Sequence, residues 1–123
     1  MGFEVTKLRY YKNRAFDFEN YINDIKSASD GSVIILHSCA HNPTGCDPTK
    51  EQWKEIAAVV RQKSIFPIFD SAYLGFNSGS IDEDAWALRY FIDELGMEAS
   101  VCLSFAKSMG LYGMAFQTSS VVN

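Results

Sequence analysis

The sequence predicts an α/β fold, built as a βαβαβ unit with a parallel sheet. Three observations carry this. First, "SVIILH" (32–37), "SIFPIFD" (64–70) and "ASVCLSF" (99–105) are short apolar runs, the pattern of strands covered on both faces. Second, the segments between them carry helical periodicity and helix-end signals. Third, the connections are short, which favours right-handed crossovers between neighbouring parallel strands.

Taken in order, "VTKLRYY" (5–11) has modest strand character, broken by Asn13 and Arg14. "DFENYINDIKSA" (17–28) is an amphipathic helix with Phe18, Tyr21, Ile22 and Ile25 on one face, and "SDG" (29–31) is a turn. The first buried strand runs into the loop "NPTGCDP". A helix follows, capped either by Asp47 with Pro48 at its first position or by Thr49 with Gln52 reaching back. Trp53, Ile56, Ala57 and Val60 form its apolar stripe. Pro67 sits awkwardly in the second strand because it removes a ladder donor. After the loop "YLGFNSGS", residues 82–95 read as one helix with a solvated acidic start, ended by Gly96. The third strand leads into the Gly-punctuated loop "KSMGLYG".

At 123 residues, 47% hydrophobic and 21% charged, the chain suits one globular domain with a real core. A net charge of -4 leaves no basic footprint for nucleic acid. No apolar run approaches the roughly 20 residues that span a bilayer. The N-terminus shows neither a secretory nor a transit pattern, so no membrane partner is expected. Gly2 and Thr6 fit the loose myristoylation pattern, which without a basic cluster or second anchor reads as coincidence. Three cysteines, an odd number without a secretory signal, read as free thiols in a reducing compartment.

In open α/β sheets, ligands bind beyond the carboxyl ends of the strands. That rule selects His41 and Asn42, Asp70 to Tyr73, and Ser104 to Lys107. Asp70 closes an apolar strand, where a carboxylate needs a partner. An amine (Lys107), a carboxylate (Asp70), a phenol (Tyr73) and an amide (Asn42) are the parts that hold pyridoxal 5'-phosphate. The amine bonds the aldehyde, the carboxylate keeps the pyridine nitrogen protonated, and phenol and amide hydrogen-bond the ring's phenolic oxygen. Composition and spacing alone do not select this cofactor. His37, Cys39, His41 and Cys46 offer a rival metal reading, but their spacing lacks the paired C-x2-C or H-x3-H form, so no metal is expected.

The segments "HSCAHNPTGCDPTKEQW", "FPIFDSAYLGF", "DAWALRYF" and "SFAKSMGLYG" closely resemble the aspartate aminotransferase family of fold-type I pyridoxal-phosphate enzymes, over about residues 9–113. The resemblance implies that the βαβαβ unit is the central part of that family's cofactor-binding large domain. By position, Lys107 matches the lysine that bonds the cofactor and moves the proton. Asp70 matches the partner of the pyridine nitrogen, Tyr73 and Asn42 the ligands of the phenolic oxygen, and Ser104 a phosphate ligand. His37 resembles a histidine close to that aspartate, and the Asn42–Pro43 bond one that is cis in the family. The implied reaction moves an amino group between L-aspartate and 2-oxoglutarate, giving oxaloacetate and L-glutamate. A homodimer is implied too, in the cytoplasm or alternatively the mitochondrion.

Residues 114–123, "MAFQTSSVVN", depart from the family, which places Glu, Arg, Val and Gly after "GLYG". Ala115 stands where the arginine that clamps the cofactor phosphate belongs, and alanine supplies neither its charge nor its fork. Counterparts of the family's upstream phosphate loop, ring-stacking aromatic residue and small domain are not found in residues 1–123. The expectation is a single partial domain, with an inactive cofactor-holding or subunit-contacting remnant as the alternative.

Overall fold

A computed structural model of the chain describes residue 2, residues 4–110 and residues 117–122. Residues 5–10 enter no strand ladder. Pairing there is confined to β1 (Tyr11–Lys12) and β2 (Ala15–Phe16), an antiparallel hairpin. Asn13 and Arg14, at φ 51° and 64°, supply the left-handed pair that a two-residue hairpin turn requires. The residues expected to end a strand are therefore the turn that makes one.

Helix α1 (Phe18–Ser27) buries Tyr21, Ile22 and Ile25, the stripe its periodicity marks. It leads to β3 (Val33–His37) and then α2 (Lys50–Gln62). Thr49 is the cap of α2: the Gln52 N–H donates to its hydroxyl at 3.2 Å, and the Thr49 N–H donates to the Gln52 side chain at 2.9 Å. This reciprocal pair satisfies two helix-end donors, leaving Asp47 for other work. Thr49→Ala is expected to lower stability by about 1 kcal/mol. An unchanged urea midpoint would show that this cap carries no stability.

Pro67 is accommodated in β4 (Phe66–Ser71) by register. The Phe66 N–H bonds Ser32, on the β3 side, so the next position faces the neighbour on the other side. Pairing with that neighbour, β5 (Ala99–Ser104), begins only at Ile68, so the missing proline donor leaves no gap in the ladder.

The single helix expected over 82–95 is instead broken into α3 (Ile81–Asp84), α4 (Trp86–Arg89) and a wider π turn over Tyr90–Glu94. Ala85 interrupts it at φ -84°, ψ 5°, and the Leu95 N–H reaches five residues back to Tyr90. Gly96 closes the segment at φ 62°. After β5 comes one helical turn, α5 (Phe105–Ser108), in place of the expected loop.

The sheet order is β3-β4-β5-β6, with β6 spanning Gln117–Val122. The first three strands are parallel, as expected. The fourth runs antiparallel to β5, a pairing that the apolar pattern did not announce. Ala115 lies outside the described residues.

One face of the sheet is covered by the helices. Ile34, Leu36, Pro67, Phe69, Ala99 and Val101 point into it. Trp53 of α2 and Phe91 of the π turn close around Phe69, with ring centroids 6.3 and 5.2 Å from it. The opposite face carries Val33 and Ile35, which are 60% and 65% exposed.

Candidate active site

Register brings the predicted residues to one edge. His37, Asp70 and Cys102 pair in a row across β3, β4 and β5 at the carboxyl ends of the strands. Alternation puts this row on the open face, and Ser104, two residues past Cys102, lies on the same face. Asn42 follows β3 in the loop to α2, and Tyr73 follows β4. Lys107 belongs to α5, and its Nζ stands 5.0 Å from the centroid of the Tyr73 ring, a cation–π contact. Lys107 and Tyr73 thus meet directly. Asp70 and Ser104 share the edge by strand register, and Asn42 shares it through its loop.

What these groups leave undone is informative. Among the described residues, the Asn42 amide, the Asp70 carboxylate and the Tyr73 hydroxyl make no hydrogen bond within the chain. Lys107 has no carboxylate partner there. The carboxylates of the adjoining loops are committed: Asp47 and Asp84 accept backbone N–H groups. The uncommitted set therefore fits pyridoxal phosphate, offering an amine for its aldehyde, a carboxylate for its pyridine nitrogen, and two donors for its phenolic oxygen.

Two carboxylates that the sequence did not single out as site residues shape the loops. Asp84 is 5% exposed and accepts N–H bonds from Gly75 at 2.8 Å and from Asn77 and Ser78 at 3.1 Å each. It thereby organises the loop that carries Tyr73. The signal was present: Asp84, Ala87 and Phe91 fall at i, i+3 and i+7, one buried helical stripe. Asp47 accepts the Ala40 N–H at 2.7 Å and the His41 N–H at 2.9 Å.

The histidines and cysteines brace this loop. The His41 ring stacks on Tyr10 at 3.7 Å and its Nδ1 meets the Thr44 hydroxyl at 2.8 Å. Burial, with His37 beside it, lowers the pKa of His41 and favours the neutral ring. The Tyr10 hydroxyl donates to the Cys46 carbonyl at 2.7 Å. Cys39 is buried, and burial with Asp84 and Asp47 nearby pushes its thiol up to about 12. The Asn42–Pro43 bond is cis.

The model of the family "Aminotransferase class I and II" matches residues 1–122. The chain belongs to the class I and II aminotransferases. This family depends on pyridoxal phosphate. Solved aminotransferases share the fold closely. Against the broad specificity aminotransferase of Leishmania mexicana the identity is 48%, with a TM-score of 0.88 over 93% of this chain and 28% of that one. Against the aspartate aminotransferase of Trypanosoma cruzi it is 46%, with a TM-score of 0.90 over 94% and 30%. The aromatic-amino-acid aminotransferase of Burkholderia pseudomallei, solved covalently bound to pyridoxal phosphate, is 35% identical, with a TM-score of 0.93 over 98% and 30%. The chain spans about three-tenths of the length of these aminotransferases. Among the described residues no helix is long and apolar enough to cross a membrane.

Proposed function

We propose that this chain is the cofactor-binding part of an aspartate aminotransferase, acting on L-aspartate and 2-oxoglutarate and assembling as a homodimer. The observation that carries the reading is the uncommitted set at the carboxyl edge, with Lys107 poised over Tyr73. The aspartate substrate rests on 46% identity to the Trypanosoma cruzi aspartate aminotransferase and on the motif resemblance.

Bound pyridoxal phosphate supplies a protonated pyridine ring that draws electron density from the substrate Cα. Lys107 would hold it through Nζ, and as a free amine, displaced by the substrate's amino group, would accept the proton from the substrate Cα. Asp70 holds a proton on the ring nitrogen, a charge-assisted bond from the row it shares with His37 and Cys102. Tyr73 and Asn42 would donate to the phenolic oxygen. Ser104 donates to the phosphate.

A second reading, a chain that holds the cofactor without turnover, is favoured by Ala115 at the position of the phosphate-clamping arginine. Reduction with borohydride after incubation with pyridoxal phosphate tests the shared step. An adduct on Lys107 is expected, lost in Lys107→Ala. An adduct elsewhere, or undiminished labelling in that variant, overturns the site. Oxaloacetate formation from L-aspartate and 2-oxoglutarate then separates the two readings.

A further inference from the structure

We propose that Asp47 is a positioning residue that sets the aim of Asn42 toward the cofactor's phenolic oxygen, an inference that rests on the cofactor reading above. The Asn42 amide makes no hydrogen bond within the described chain, so its direction is inherited from its backbone. That backbone is held just before Asn42. Both Asp47 carboxylate oxygens turn back, one onto the Ala40 N–H and the other onto the His41 N–H. Ala40 sits at φ 48°, a left-handed conformation that costs a non-glycine residue energy and persists only where neighbours hold it.

The same carboxylate meets the Asn77 side-chain amide at 3.4 Å, and Asn77 lies in the loop that carries Tyr73. Asp47 therefore touches the loops of both groups assigned to the phenolic oxygen. It does not cap α2, because Thr49 and Gln52 already do so. The Tyr10–His41 stack, the Thr44 contact and the Gly45 N–H bond to the His41 carbonyl support the far side of the turn. None of these satisfies the Ala40 and His41 donors.

Two measurements on the full chain test this. In Asp47→Ala, amide exchange at Ala40 and His41 is expected to quicken about tenfold or more, while β4 and the middle of α2 keep their protection. Donors on the phenolic oxygen disfavour protonation of the lysine-linked nitrogen. The pH midpoint of the cofactor's visible band should therefore rise by about one unit in Asp47→Ala, with Thr49→Ala as the unshifted control. Asp47→Asn keeps one oxygen acceptor, so it should hold the fold and give an intermediate shift. Unchanged exchange at Ala40 and His41 overturns the brace. Quickened exchange with an unmoved midpoint in a loaded protein overturns the aiming role. If pyridoxal phosphate fails to load the wild type, the cofactor reading falls and this aiming role falls with it, while the exchange data still decide the brace separately.

Discussion

Phe69→Ala is expected to destabilise the chain by about 3–5 kcal/mol, the range for removing a fully buried aromatic side chain. Phe69 has no exposed surface and sits where β4 meets α2 and the π turn, tilted against Trp53 and edge-on to Phe91. Truncation removes the apolar contact and leaves a space that two rigid rings cannot close without shifting their own backbones. A domain of this size holds only about 5–15 kcal/mol in total, so the loss approaches unfolding. The urea midpoint should fall sharply with an unchanged slope, and Phe69→Leu should cost less than about 1.5 kcal/mol. Equal midpoints for wild type and Phe69→Ala would show that the core is not centred on this ring. A functional consequence follows, because the next residue is Asp70: packing on the covered face fixes where that carboxylate stands on the open one.

Asp84→Ala is expected to cost about 3 kcal/mol, although the position looks like surface charge in the sequence. Three backbone donors, from Gly75, Asn77 and Ser78, end on this one buried carboxylate. Hydrogen bonds to a charged acceptor contribute about 1.5–3 kcal/mol each, less than additively when they share it. Alanine leaves those donors without their acceptor and opens a hole beside Ala85 and Ala87. Asp84→Asn is a partial remedy: one oxygen can still accept from Gly75 and Asn77, while its amide nitrogen would face the Ser78 N–H. Exchange at Gly75, Asn77 and Ser78 should rise in both variants before global unfolding does. A loss below 1 kcal/mol, or exchange rising uniformly across the sheet, would show that Asp84 does not organise this loop. Since Tyr73 enters that loop, the variant should also loosen the Lys107–Tyr73 contact.

Much of the fold was legible because its elements obey local periods. The apolar runs at 32–37, 64–70 and 99–105 became β3, β4 and β5 within two residues at either end. The stripe of Trp53, Ile56, Ala57 and Val60 is buried as marked. The rule that ligands sit beyond strand ends pointed to Asp70, Ser104 and Lys107, and register places Asp70 and Ser104 at one carboxyl edge, with Lys107 in the helical turn that follows β5. The misreadings share a different character. Asn13 and Arg14 read as strand breakers, yet both adopt left-handed backbone and form the hairpin turn. The helix over 82–95 broke where Asp84 turned inward to serve a loop.

By itself, the sequence determined the parallel βαβαβ order, the stripes that face the core and the motifs that carry the family resemblance. These depend on residue type at fixed short spacing, which side-chain size and polarity translate directly into burial. Only the tertiary structure decided that His37, Asp70 and Cys102 form one row, that β6 pairs antiparallel to β5, and that Asp47 and Asp84 hold the loops that carry Asn42 and Tyr73. Those facts depend on register and on where distant backbone donors come to rest. A carboxylate reads the same in sequence whether water or three N–H groups surround it.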